Sequence, residues 1–131
     1  MRVLVENTAG GKNSVARYMD SIERLWEVIG HLNVGLCLDT CHTWAGGIPT
    51  IDAVKGFKKL VKKIDLIHFN DSKDGFESSR DRHENLGKGK IPKEELEYVI
   101  KNAKTDIIVE TPNGPDAQKK DIAWIKRRLK K

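Results

Sequence analysis

The sequence predicts an α/β fold organised around a parallel sheet, on three observations. Four short runs rich in aliphatic and β-branched residues recur along the 131-residue chain, at positions 3–5, 34–38, 65–67 and 106–109. Each run is followed by a stretch whose apolar residues return every three or four positions. Each run also leads directly to an acidic residue or a histidine. Strands alternating with helices imply right-handed crossovers, and strands covered on both faces read as continuous apolar runs.

The elements follow in order. Behind the first run, Val15, Tyr18, Met19, Ile22, Leu25, Trp26 and Ile29 are spaced to bury one stripe of a helix. Behind the second, Ala53, Val54, Phe57, Leu60 and Val61 do the same. A long polar loop separates the third run from Leu96, Val99 and Ile100, whose helix opens near Pro92, a residue suited to a first turn. The fourth run passes through a proline-bounded turn at 112–115 into a basic helix carrying Ile122, Ile125 and Leu129. One domain spanning residues 1–131 is expected. Four strand–helix units are half of the eight that close a (β/α)8 barrel of about 250 residues. An open flavodoxin-like sheet has the same rhythm, so the positions of the polar residues must separate the two.

Bulk properties exclude some classes. Nowhere is there an apolar run near the ~20 residues that span a bilayer, and the opening MRVLVENTAG lacks a signal peptide's apolar stretch. A soluble, cytoplasmic protein without a membrane partner is expected. Cys37 and Cys41 do not form the framework of a secreted disulfide domain and are read as reduced. The net charge of +5 is compatible with an acidic partner such as DNA but decides little by itself. The basic segment 119–131 is read as the solvated face of an amphipathic helix rather than a dedicated DNA-binding stripe.

The strand ends carry the chemistry. The four runs lead to Glu6, Asp39, His68 and Glu110. In parallel α/β folds the C-terminal strand ends open onto one face, and in a barrel they converge. Taken alone, a strand-ending carboxylate more often caps a helix, and a single histidine is more often satisfied by a neighbour than bound to a metal. The coincidence on all four strands favours ligands, because clustered carboxylates repel unless a cation neutralises them. The oxygen and nitrogen set suits zinc, with manganese as the alternative. A second set lies in the connections, where His42 follows Asp39 by three, and Asp81 and His83 share one side of an extended segment. His31, at the end of the first helix, is assigned no catalytic part.

The strings Glu6-Asn7-Thr8-Ala9-Gly10, Gly35-Leu36-Cys37-Leu38-Asp39-Thr40-Cys41-His42, His68-Phe69-Asn70-Asp71-Ser72-Lys73, Asp81-Arg82-His83-Glu84-Asn85-Leu86-Gly87-Lys88-Gly89 and Glu110-Thr111 resemble, in this order, the endonuclease IV family. The resemblance covers essentially the whole chain. It implies the C-terminal half of a (β/α)8 barrel with up to three zincs at its mouth, two of whose ligand sets are complete in this chain. Glu6 would bridge two zincs, with Asp39, His68 and Glu110 completing the second zinc's shell. His42, Asp81 and His83 would hold the third. The first zinc would need two histidines from earlier strands, which this chain does not contain.

The implied chemistry is DNA repair: hydrolysis of the phosphodiester 5′ to abasic sites in double-stranded DNA, and removal of 3′-blocking groups. Glu6 and Glu110 are the expected catalytic carboxylates, and Asn70, Lys73, Arg80 and Arg82 are candidate DNA contacts or supports of the ligands. The implied open sheet edges point to self-association or to a separate N-terminal half. A sugar isomerase or epimerase on a related barrel is the alternative enzyme, and a non-catalytic metal- or DNA-binding remnant the alternative outside enzymology. Gly10-Gly11-Lys12-Asn13 lacks the first glycine and the hydroxyl of a phosphate loop. The Gly87-Lys88-Gly89 stretch is read as a turn, Trp26 and Trp124 as core, and Trp44 is left open between core and base stacking.

Overall fold

The computed structural model describes residues 1–130; Lys131, the last residue of the basic segment, lies outside the described residues. In chain order the elements are β1 (Val3–Glu6), α1 (Met19–Ile29), β2 (Val34–Asp39), α2 (Thr40–Gly46), α3 (Thr50–Leu60), β3 (Leu66–His68), β4 (Asp71–Ser72), β5 (His83–Glu84), α4 (Lys93–Ala103), β6 (Ile107–Ile108) and α5 (Gly114–Leu129). Strands β1, β2, β3 and β6 form one parallel sheet in that spatial order, and β4 pairs antiparallel with β5 in a small ribbon. The α/β class and the four expected strand–helix units are present. None of the helices is long and apolar enough to cross a membrane among the described residues.

Strand order equals chain order, with no reversal. A doubly wound sheet reverses its strand order at a switch point, so this sheet is wound in one direction only, as in a barrel. The helices follow suit: α1 packs on α3, α3 on α4, and α4 on α5. Both faces of the sheet are therefore not covered alike, and the helices gather against one. Leu36, Leu38, Ile67 and Phe69 point into that helical layer and meet Ile22, Trp26, Val54, Phe57, Leu96, Val99 and Ile125 in one continuous core. The alternating positions Glu6, Cys37, Asp39 and His68 take the opposite face.

Local departures from the expected boundaries have physical causes. The first helix begins at Met19, leaving Val15 exposed in the preceding loop. The segment after Asp39 forms the separate helix α2, because Asp39 accepts a hydrogen bond from the His42 amide and so caps it. Strand β6 stops at Ile108 because the amide of Glu110 donates to the Asn70 side chain. The C-terminal helix buries Trp124 and Ile125 but leaves Ile122 and Leu129 more than 40 % exposed. Its Lys119, Lys120, Lys126 and Arg127 face solvent, in keeping with an amphipathic surface helix.

The outermost strands β1 and β6 each have a single neighbour, so each offers an unpaired edge. Exposed apolar residues occur at both: Val3 on β1, and Ile108 on β6 with Ile122 and Leu129 beside it.

Phe57 has no exposed surface and sits within the helical core. Phe57→Ala is expected to remove about 3–5 kcal/mol of unfolding free energy, read from urea unfolding by circular dichroism. A loss under about 1 kcal/mol would contradict this packing.

Candidate metal centre

Register brings the strand ends level. Glu6 lies opposite Cys37, Asp39 opposite His68, and His68 opposite Ile108, so the carboxylates and the imidazole finish side by side. Ligand atoms of Glu6, Asp39, His68 and Glu110 all lie within 4.8 Å of one another. Nδ1 of His68 is 3.0 Å from Oε1 of Glu6 and 3.2 Å from Oε2 of Glu110.

A second group adjoins the first and shares Asp39 with it. Helix α2 starts at once after Asp39 and lifts His42 over the strand ends, while the 73–82 connection and β5 bring in Asp81 and His83. Nε2 of His42 lies 3.1 Å from Asp81 and 3.8 Å from Asp39. Nε2 of His83 lies 3.1 Å from Asp81 and 3.7 Å from Asp39. All seven residues expected as ligands from the sequence thus meet in one place.

The two imidazoles are held alike. Nδ1 of His42 is 2.7 Å from the Asn7 carbonyl and Nδ1 of His83 is 3.1 Å from the Glu110 carbonyl. A carbonyl only accepts, so both rings carry the proton on Nδ1 and present Nε2 inward. Both Nε2 atoms are buried without a hydrogen-bond partner among the described residues; the carboxylates are near but not aligned as acceptors. Orphaned imidazole nitrogens aimed with carboxylate oxygens at a common point, each ring fixed through its other nitrogen, are the arrangement of a metal ligand set. The residues therefore fit a cation such as zinc, whose usual donors are imidazole nitrogen and carboxylate oxygen.

Electrostatics agree. Burial pushes the Asp39 carboxyl upward against the pull of His42 and His83. Burial disfavours a charged His42, but Asp39, the Asn7 carbonyl, Asp81 and Glu6 together outweigh it and raise its pKa. Without a cation Asp39 and His42 thus hold their protons more readily than free side chains do. Burial, reinforced by Glu6 and Asp39, drives Cys37 up to about 12, and burial drives Cys41 to about 12. Both thiols lie close enough to join ligand groups, yet they remain protonated where the carboxylates and imidazoles are ready donors.

Several residues with supporting parts were not singled out from the sequence. Asn7 locks β1 to β2, accepting from the Asp39 amide at 2.8 Å and donating to the Asp39 carbonyl at 3.3 Å. Asp71, wholly buried, accepts from the amides of Ser72, Gly87, Gly89 and Ile91 and closes the base of the loop that delivers Asp81 and His83. A Cβ on Gly89 would strike the Asp71 carboxylate and the Ser72 carbonyl. The only sequence signal for these is membership of the strings around Glu6 and His68, since burial of a loop asparagine or aspartate leaves no periodic trace.

The four candidate DNA contacts divide. Asn70 is fully buried, donates to Asp39 at 3.0 Å and accepts from the Glu110 amide at 2.8 Å, so it orients two ligands. The fork of Arg82 is taken by Asp74, at 2.8 and 2.5 Å, and holds that carboxyl below its ordinary range. Arg80 lies 3.9 Å from the same carboxylate, and Lys73 is exposed. Trp44 donates to the Asp74 carbonyl at 3.0 Å and meets Phe76 edge-on, which fastens it to the loop. Trp26 and Trp124 are core, and His31 is exposed, away from the centre.

Comparison with known proteins places these features in a family. A family model described as xylose isomerase-like TIM barrel matches residues 1–128. The chain is 46 % identical over 127 residues to a probable endonuclease 4 of Mycobacterium ulcerans, covering 97 % of this chain and 50 % of that protein. It is 48 % identical over 126 residues to a probable endonuclease 4 of Mycobacterium bovis, covering 96 % and 49 %. The crystal structure of endonuclease IV from Thermus thermophilus superposes with a TM-score of 0.80 at 30 % identity, covering 98 % of this chain and 50 % of that one. The chain spans about half the length of the curated relatives it matches.

Cys37 and Cys41 are buried and their thiols are held up to about 12. At pH 8 the folded chain is therefore expected to leave both unreacted with Ellman's reagent, while urea-unfolded chain titrates both. Rapid reaction of either thiol before unfolding would contradict the burial of the sheet's C-terminal end.

Proposed function

The chain belongs to the xylose isomerase-like TIM-barrel family, and from that premise we propose that it is the C-terminal, metal-binding half of an endonuclease IV-type DNA-repair barrel. Its reaction would be hydrolysis of the phosphodiester 5′ to abasic sites in double-stranded DNA. The observation that carries this reading is the pair of orphaned Nε2 atoms of His42 and His83 facing a ring of carboxylates. Similarity to proteins named probable endonuclease 4 supports it.

Glu6, Asp39, His68 and Glu110 would hold one zinc, and His42, Asp81 and His83, with Asp39 beside them, another. When bound, such ions supply Lewis acidity toward a phosphate oxygen and toward water. The chain's own residues divide the remaining work by exposure. Asp39 has no solvent-exposed side-chain surface, whereas Glu6 and Glu110 keep 36 % and 42 % of theirs. A carboxylate that meets both the ligand cluster and solvent is the one able to orient an attacking water and accept its proton, so Glu6 and Glu110 take that role. His68 Nδ1 lies within 3.2 Å of both and fixes their separation. Of the exposed cations near the rim, Lys73 is without an ion pair among the described residues and is the first candidate for a DNA phosphate, ahead of Arg82, whose fork Asp74 occupies.

The unpaired edges of β1 and β6 belong to the same proposal. In a closed barrel each takes a further parallel strand, supplied by an N-terminal half or by a second copy of this chain. Light scattering after size exclusion is expected to show association of the purified chain, or association once an N-terminal half is added. A folded monomer indifferent to both would contradict the closed barrel.

Elemental analysis after dialysis against trace zinc is expected to find about two zinc ions per chain, with at least one lost in each of Glu6→Ala and His83→Ala. No metal above background would sink the proposal. Chain that holds its zinc but, with the barrel completed, fails to nick a duplex bearing an abasic site would be a metal-binding remnant instead.

A further inference from the structure

We propose that Asp121, on α5, is a positioning residue for the metal position formed by Asp81 and His83. The inference rests on the metal-centre reading above and deepens it. Asp121 is 3 % exposed and takes its hydrogen bonds from residues other than the ligands. Its Oδ2 accepts from the Thr111 hydroxyl at 2.5 Å and from the Asn85 amide at 2.8 Å, and its Oδ1 accepts from the Leu86 backbone amide at 2.9 Å. Thr111 directly follows Glu110, and Asn85 lies two residues after His83. One carboxylate therefore ties the segment leaving one ligand to the segment leaving another.

The hydrogen bond that orients His83 crosses the same junction, since its Nδ1–H donates to the Glu110 carbonyl at 3.1 Å. The rest of the junction is fastened around Asp121. Asn85 also donates to the Pro112 carbonyl at 3.0 Å and accepts from Asn113 at 2.7 Å, and Gln118 of α5 donates to the Thr111 carbonyl at 2.9 Å. Fixing this junction matters because the connection that precedes His83 is exposed, with positive φ at Glu77 and Ser79.

The chemistry of the group argues for a dedicated part. Asp121 forms no ion pair among the described residues, and burying an unpaired carboxylate is costly even when hydrogen-bonded. Three donors converge on it, and only an acceptor-only group satisfies all three; an asparagine would set its NH2 against one of them. Stability alone would be served as well by an apolar contact between α5 and the loop. What the carboxylate adds is a fixed distance between Glu110 and His83.

The test uses Asp121→Asn and the milder Thr111→Val in the 131-residue chain, with Leu96→Ala on α4 as a control that weakens the core without removing any hydrogen bond of the junction. Zinc affinities come from competition with a chromophoric chelator, and ligand geometry from the visible spectrum of the cobalt(II)-loaded chain. In Asp121→Asn the weaker zinc equivalent is expected to lose about tenfold or more in affinity while the tighter is kept, and the cobalt spectrum changes. Thr111→Val shifts both readouts the same way by less, and Leu96→Ala lowers Tm with neither change. Wild-type affinities and spectra in both junction variants would overturn the role of Asp121, as would loss of both zincs in proportion to Tm, matching Leu96→Ala. Wild-type chain that holds no zinc would instead overturn the metal centre itself.

Discussion

Mutual repulsion among four carboxylates, Glu6, Asp39, Asp81 and Glu110, is the constraint to which the rest of this structure answers. They meet at the C-terminal ends of the strands, where like charges stand at short range. The protein surrounds them with compensation that is ample in donors and short of charge. Three imidazoles stand between them, and Asp39 sits at the N-terminus of α2, where amides face it. Asn7 and Asn70 fix the Asp39 backbone and side chain in turn. None of this supplies a permanent positive charge, and that deficit is what a divalent cation would fill.

Holding such a cluster open demands a rigid frame, and the frame is polar as well as apolar. On one side of the sheet the helices form a continuous hydrophobic core that fixes strand register, and register sets which residues end level. The long connection between β3 and α4 is fastened by buried carboxylates saturated with neutral donors, Asp71 holding its Gly87, Gly89 and Ile91 amides and Asp121 holding Asn85 and Leu86. Ligand placement thus depends on hydrogen bonds two layers away from the ligands. Such networks hold a geometry well when fully satisfied, as these are.

The parts of this arrangement that repeat were legible in the sequence, and the parts that occur once were not. Strand–helix periodicity exposed the α/β class, and the recurrence of ligand-type residues at Glu6, Asp39, His68 and Glu110 exposed the centre, since one geometric rule places all four. His42, Asp81 and His83 were found because their spacing to one another or to Asp39 is short. Asp71 and Asp121 were invisible because their donors, apart from the adjacent Ser72 amide, lie 10 to 36 residues away in loops without period. The early start of α2 was hidden because Asp39 is at once a candidate ligand and a helix cap. Arg82 reads as a free cation in the sequence, and only the fold brings Asp74 into its fork. One-sided helix packing was equally hidden, because a buried strand reads the same whether its second face meets helices or the interior of a barrel.

Zinc K-edge X-ray absorption on the loaded chain tests the central claim most directly, because it sees the donor atoms themselves. The account predicts a shell of nitrogen and oxygen at about 2.0–2.2 Å with imidazole scattering beyond it and no sulfur. A zinc–sulfur shell near ~2.3 Å would mean that Cys37 or Cys41 binds as thiolate, and would contradict a centre built on carboxylates and histidines.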